Sequence, residues 1–250
     1  MKKLTAALKI ESLLFLRDFY GAFFTFIFPL MMLFLYGSIY GNEPSSYFNG
    51  NGAMDVSVPA YSVMVIGVTG LMAFPLTLAG YKENQIYKRF DATPAGKGLI
   101  ILSQIAVNFL MTLAGFGVLL LAGILFFHIR IEGSFFPILG ALFLSAASIF
   151  SIGFFFTAIA PSIKINNLLC YVTYFVMIFL SGATMPREMF PEALKKVSDA
   201  LPMTYAVHLL QGAFRGSEIA DHVTDLLVLS LIMVVCTAVG SLLYRKKSWT

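Results

Sequence analysis

Six apolar stretches almost free of charge dominate this chain: 20–41, 59–81, 98–127, 135–159, 167–184 and 223–244. A helix rises about 1.5 Å per residue, so about 20 residues cross a 30 Å hydrocarbon core. In lipid every backbone N–H and C=O must be paired within the protein, and a single segment achieves that only as a helix. Apolar residues make up 58% of the chain and charged ones 12%. Soluble domains sit near about 45–50% and about 25%, so both figures point to lipid as the solvent. The expected fold is an all-α integral membrane protein with six transmembrane helices, forming one membrane domain over 1–250. The third stretch is long enough to tilt or to project beyond the membrane. Pro29 and Pro75 fall inside spans and are expected to kink them.

The N-terminal segment 1–18 mixes Lys2, Lys3, Lys9, Glu11, Arg17 and Asp18 with Leu4, Leu8, Leu13, Leu14 and Leu16. That mixture suits an amphipathic interfacial helix lying on the membrane with its apolar side down. A secretory signal is disfavoured: the uninterrupted apolar run starts only after Arg17-Asp18, continues too long, and no small-x-small site closes it. Twelve of the 17 Lys and Arg residues lie in 1–19, 82–97, 160–166 and 245–250, against five in the remaining connections. By the positive-inside rule both termini are cytoplasmic, which fits an even number of spans and a cell inner or cytoplasmic membrane. The formal charge of +4 is scattered around span ends, with no basic stripe interleaved with aromatics, so nucleic acid is excluded as a partner.

Two connections carry structure of their own. The cytoplasmic loop 82–97 holds Glu83, Tyr87, Lys88, Arg89 and Phe90 and closes on Thr93-Pro94, which predicts a short helix ending near Thr93. The outer segment 185–222 predicts two short amphipathic helices, re-entrant or capping the bundle. Pro191 opens the first, with Leu194, Val197 and Leu201 on one face and Glu192, Lys195, Lys196 and Asp199 on the other. Pro202 stops it. The second begins near Thr204 and carries Thr204, His208, Gln211 and Arg215 as a polar stripe. The loop 42–58, rich in Gly, Asn and Ser, reads as flexible.

The chemistry of the chain is sparse. Gly96-Lys97 is followed by Gly98, and Asp91 stands where a phosphate loop needs its first glycine, so no ATP-binding motif is recognisable. No metal, cofactor or catalytic motif is recognisable either. His128, His208 and His222 are dispersed, and Cys170 and Cys236 sit within apolar runs as small apolar residues. The span interiors hold essentially no ionisable residue, which argues against an ion- or proton-coupled pathway and for an energy source outside the chain. Gln104 and Asn108 share a face of the third span. They serve either an interhelical interface or a translocation path.

The chain resembles the membrane subunit of an ABC exporter, of the ABC-2 permease family. The surface helix leading through Arg17-Asp18 into a span with Pro29 matches, as does Ala92-Thr93-Pro94 after the second span. So do Ser181-Gly182 followed by Pro186 and Pro191, and then Pro202-Met203-Thr204-Tyr205 opening the second outer helix. Asn84 and Gln85 replace a glycine in an acidic stretch, and Gln211 stands where an arginine is common. The resemblance implies two six-span permease subunits, as a homodimer or heterodimer, and two copies of an ATP-binding subunit that holds ATP and Mg. Loop 82–94 would then be the coupling helix, with Glu83, Tyr87, Arg89, Phe90, Thr93 and Pro94 against the ATPase. Pro186, Pro191, Pro202, Thr204 and Tyr205 would shape an outer gate. The implied cargo is a drug, antibiotic, peptide or lipid-like compound, or alternatively a polysaccharide or lipid-linked glycan. A membrane enzyme would need paired carboxylates, a His cluster or a nucleophile within a span; a non-transporting sensor or scaffold is the remaining class.

A membrane-impermeant amine reagent applied to intact cells is expected to leave Lys88 unmodified and to reach it only after permeabilisation. Labelling from outside would invert the topology.

Overall fold

The computed structural model of the chain describes residues 2–45, 48, 50–91, 96–185, 187 and 190–246. Among them six helices are long and apolar enough to cross a membrane, as the sequence predicts. Helix α1 (Lys2–Arg17) leads into the first span, α2 (Phe19–Tyr40). The second span is α3 (Ala53–Glu83), followed by the short α4 (Ile86–Asp91). The third to fifth spans are α5 (Gly96–Phe127), α6 (Phe135–Ile159) and α7 (Ile163–Leu180). Two short helices, α8 (Glu192–Ser198) and α9 (Pro202–Arg215), precede the sixth span, α10 (Val223–Lys246).

The spans alternate in direction. At one end, the basic end, lie α1, α4, the start of α5, the α6–α7 turn and the end of α10. Tyr81 reaches Glu11 there, Lys82 reaches the Thr157 carbonyl, and Phe154 stacks near Tyr244. The far end gathers the α2–α3 and α5–α6 connections with α8 and α9.

Helix α3 is the centre of the bundle. Of its most apolar stretch 78% is buried, against 11% for α10, which packs along α6 at the periphery. Helices α2, α5, α6, α7 and α9 all pack against α3. A single buried core runs through these contacts, from Leu33 and Tyr61 to Leu142, Tyr174 and Leu210.

Pro29 and Pro75 are accommodated by widening. A turn of π-helix, Phe23–Ile27, precedes Pro29, and another, Val68–Ala73, precedes Pro75. A proline cannot donate to the carbonyl four residues back, and its ring crowds that carbonyl; a π turn absorbs the lost register. Neighbouring spans add partners. The Pro75 carbonyl accepts from Asn166 Nδ2 at 3.2 Å and Thr157 Oγ1 at 3.4 Å. Gly153 of α6 lies directly on the wide turn: a Cβ there would stand 2.2 Å from the Gly70 carbonyl oxygen. Small residues permit such backbone approach between spans.

The segment read as a flexible loop over 42–58 is shorter than expected, because α3 begins at Ala53, before Pro59. Side chains supply the cap that lets it start there. Asn42 Oδ1 accepts the Met54 and Asp55 N–H groups at 2.9 and 3.1 Å. Asp55 Oδ2 accepts the Gly52 N–H. Asn42 Nδ2 donates to Asp55 Oδ1 and to the Phe127 carbonyl, and the Arg130 N–H also reaches Asp55 Oδ1. Asn42 and Asp55 thereby clasp the far ends of α2, α3 and α5. Helix α7 likewise starts earlier than the apolar run suggests, at Ile163, since Ser162 Oγ accepts from the Ile165 N–H.

Helix α1 packs Leu8 and Phe15 against Val107 and Met111 of α5, leaving Ile10, Leu13, Leu14 and Leu16 exposed. One side is thus bound to the bundle and a second apolar side is free for lipid.

Replacing Asn42 by alanine removes the α3 cap and the ties to Asp55 and Phe127. A loss of about 0.5–2 kcal/mol is expected, the range for capping residues. Thermal unfolding of the purified protein, compared with an Asn51→Ala control in the same loop, measures it.

Candidate functional site

The basic-end site is built on the connection from α3 to α5. Helix α3 ends at Glu83, and Gln85 takes a left-handed conformation, φ 54°, that turns the chain into α4. Helix α4 is described as far as Asp91; the predicted stop at Thr93, and Pro94 after it, lie outside the described residues.

Tyr87 is buried against Phe74, Leu78 and Ile100. Its hydroxyl donates to Gln104 Oε1 of α5 at 3.1 Å, and burial pushes the phenol upward, so it stays neutral. Gln104 and Asn108, expected as an interface or path pair, are 0% and 4% exposed, enclosed within the chain. Asn108 Nδ2 donates to the Gln104 carbonyl, and Thr112 continues the stripe to Thr69 of α3 across 2.7 Å. The pair therefore extends the Tyr87 contact into the membrane.

Glu83, expected against a partner protein, is exposed but already has a contact in the chain: its Oε2 accepts the Ile163 N–H at the start of α7, at 3.2 Å. A carboxylate at a helix N-terminus is favoured by the orphan N–H groups and the helix dipole. Arg89 is exposed and Phe90 half-buried. Phe90, Ile86 and Tyr81 face Ala6 and Ile10 of α1 across an apolar cavity of about 420 Å³. Glu11 borders it, 7% exposed, accepting a hydrogen bond from Tyr81. Burial holds the Glu11 carboxyl above its ordinary range, and the Tyr81 bond only partly offsets this. Sequence reasoning placed Glu11 on a wet helix face; its one signal was an acid set among Ile10, Leu13 and Leu14.

The far-end site lies around α8 and α9. Pro186 lies outside the described residues, and Pro191 is exposed at the start of α8. Leu194 and Val197 are 39% and 47% exposed, so the apolar face of α8 is only partly covered by the described residues. Helix α9 starts at Pro202, two residues earlier than predicted, and is sunk against α3, α6 and α10. Its polar stripe is used: Thr204 Oγ1 donates to the Ser198 carbonyl, and Gln211 Nε2 to the Val56 carbonyl at 3.0 Å. The Tyr205 hydroxyl donates to the Asp199 carbonyl.

His208 completes an ionisable chain that sequence reading missed. Arg187 pairs with Asp199, and its Nη1 lies 3.1 Å from His208 Nε2. The other side of His208 faces Asp225, at 3.9 Å, which also holds His222 Nδ1 at 2.8 Å. The spacing of His222 and Asp225, one helical turn apart, was the available clue. Burial lowers the His208 pKa from its ordinary 6.5; Asp225 and Asp199 oppose that, while Arg187 and His222 reinforce it.

With both sites described, the relatives of the chain can be compared. Residues 2–214 match the family model described as ABC-2 type transporter. The chain belongs to the ABC-2 type transporter family. Nodulation protein J of Rhizobium leguminosarum bv. viciae is 27% identical over 231 residues, 84% of this chain and 87% of the relative. Nodulation protein J of Sinorhizobium fredii (strain NBRC 101917 / NGR234) is 31% identical over 100 residues, 38% of this chain and 37% of that protein. An ABC-2 permease is a membrane transport subunit, not the ATPase, and such permeases generally work with an ATP-binding subunit.

The His208 shift has a sign. A histidine whose folded pKa is depressed binds protons better when unfolded, so its contribution is intact above pH 6.5 and is lost as pH falls below that value. Acidification from pH 7.5 to 5.5 is expected to lower the unfolding midpoint, and His208→Gln to flatten the dependence. An unchanged slope in the variant would assign the effect to other groups.

Proposed function

We propose that this chain is the membrane-spanning permease of an ATP-driven exporter, moving a drug, antibiotic, peptide or lipid-like substrate outward across a cell membrane. A separate ATP-binding subunit, holding ATP and Mg, docks on the cytoplasmic face formed by α4 and α1. Two such subunits and a second permease, identical or not, complete the machine.

One observation carries the reading. The connector is fastened to two different spans by specific bonds, Tyr87 to Gln104 of α5 and Glu83 to the N-terminus of α7. At the same time it presents Arg89 on its surface. A force on α4 is therefore delivered to α5 through Tyr87 and to α7 through Glu83, not dissipated in a loose loop. Ligand-driven switching requires that the two states differ in contacts, and these two bonds, together with the docked surface, are where the difference is made. Gln104 and Asn108 act as the continuation of this lever, and Thr93 and Pro94 belong with Glu83, Tyr87, Arg89 and Phe90 to the ATPase-coupling residues. At the far end Pro186, Pro191, Pro202, Thr204 and Tyr205 shape the exit around α8 and α9.

The energy enters through the partner because, among the described residues, the spans hold no ionisable pathway of their own: the buried carboxylates, Glu11 and Asp225, lie on α1 and in the first turn of α10.

The test is a reconstituted complex with its ATP-binding subunit. Alanine at Glu83, Tyr87, Arg89 and Phe90 together is expected to abolish substrate-stimulated ATP hydrolysis. Because Tyr87 and Glu83 also hold the bundle, the exposed Arg89→Glu change is made separately. It is expected to cut stimulation about tenfold or more while the unfolding midpoint stays within about 0.5 kcal/mol of wild type, as for a surface substitution. Full stimulation in both variants would rule out docking at α4.

A further inference from the structure

Helix α7 ends in Ser181-Gly182, and Gly182 adopts φ 86°, a left-handed turn that glycine alone takes without strain. The turn brings Arg187 back over Ser181: a Cβ on Gly182 would stand 3.5 Å from that of Arg187. Beneath α8 and beside α9 this leaves a pocket of about 340 Å³, lined by Ser181, Arg187, Lys195, His208, Gln211 and Arg215 among others.

Its chemistry is one-sided. Three of the lining side chains are cations, and no carboxylate is among the described lining residues. Asp199 and Glu192 engage Arg187 and Lys195 but do not line the pocket. Arg215 has no ion pair among the described residues; its Nε donates to the Gln211 carbonyl of its own helix. Two buried donors are also left over. Arg187 Nε and the hydroxyl of Ser181, a fully buried residue, make no hydrogen bond among the described residues. A buried donor without an acceptor is costly, and two of them beside Arg215, which has no ion pair among the described residues, call for an anionic acceptor. Arginine is suited to it, since its planar fork binds carboxylate and phosphate oxygens with geometric specificity.

We propose that this pocket is an anion subsite that takes a phosphate or carboxylate group carried by an amphiphile at the far face of the membrane. As an assignment of substrate class it rests on the exporter reading, whereas the binding itself does not. Ser181 and Arg187 hold the anion's oxygens from the α7 side, Arg215 supplies charge from α9, and the exposed apolar face of α8, Leu194 and Val197, lies beside the amphiphile's tail.

The full-length chain, purified into nanodiscs of phosphatidylcholine, is titrated with inorganic phosphate while thermal unfolding is followed by circular dichroism. In a second arm one fifth of the lipid is phosphatidylglycerol. The unfolding midpoint is expected to rise with phosphate, with half-saturation moved about tenfold higher in Arg215→Gln and in Ser181→Ala, the loss of one charge-assisted bond. Arg187→Gln is expected to abolish the response. Since Arg187 also braces Asp199 and His208, the first two variants decide the matter if that one misfolds. A response to phosphate alone assigns the site to a solute-borne acid. A response to phosphatidylglycerol as well, weakened in the same variants, assigns it to lipid headgroups. No rise in either arm, or equal rises in wild type and both variants, overturns the subsite. No ATP-binding subunit is present, so failure of the exporter reading would leave this result unaffected.

Discussion

The constraint on which the rest depends is the cost of an unpaired backbone group in hydrocarbon. It dictates helices for all six spans, and it makes every interruption of a helix an event that a neighbour must repair. The interruption at Pro75 shows how. The chain widens over Val68–Ala73, Thr69 returns its hydroxyl to the Val65 and Ile66 carbonyls, and the Pro75 carbonyl is taken up by Thr157 and Asn166 from two other spans. The polar residues of α6 and α7 are in this sense part of the backbone of α3. That is why α3 lies at the centre: it is the span whose irregularity needs partners on several sides.

Much of the architecture is legible in the amino-acid sequence because it obeys that constraint directly. Span number follows from the length of apolar runs, and their alternation from the clustering of Lys and Arg. What is not legible are starts set by partners distant in sequence. Pro59 looks like the beginning of α3, yet Asn42, eleven residues before Ala53, supplies the acceptor that lets the helix open six residues earlier. Ser162 does the same for α7 at short range, and there the signal, a serine just before the helix, could have been read.

The sites divide along the same line. The connector was visible as a charged interruption with Thr-Pro behind it, and its tyrosine and phenylalanine were visible as candidates. What each side chain touches was not. Tyr87 turns inward to Gln104, and Glu83 is spent partly on the N-terminus of α7. Of the network His222, Asp225, His208, Arg187 and Asp199 only the His222–Asp225 spacing was legible, because the rest depends on how the outer connection, whose fold is not dictated by the solvent as the spans are, returns to the start of α10. Residue types announce chemistry; only the return path of the backbone announces company.

The two ends are nevertheless one mechanical object. Helix α3 carries Glu83 at the basic end, and at the far end its Val56 carbonyl receives Gln211 of α9. Helix α7 begins on Glu83 and ends on Ser181-Gly182, at the wall of the cationic pocket. A displacement of the connector thus has two covalent rods leading to the same far-end structure, and α9 is held by one while Arg187 is placed by the other. If the rods move together the pocket is carried rigidly. If the wide turn at Val68–Ala73 lets α3 bend while α7 stays straight, Gln211 and Ser181 must part, and the pocket changes volume. The π turn's hydrogen bonds are already displaced from the α-helical register, and Gly153 puts no side chain of α6 against the Gly70 carbonyl. Were that turn to bend, one such point in one of two parallel rods would be enough to convert a push at one end into a change of the pocket at the other.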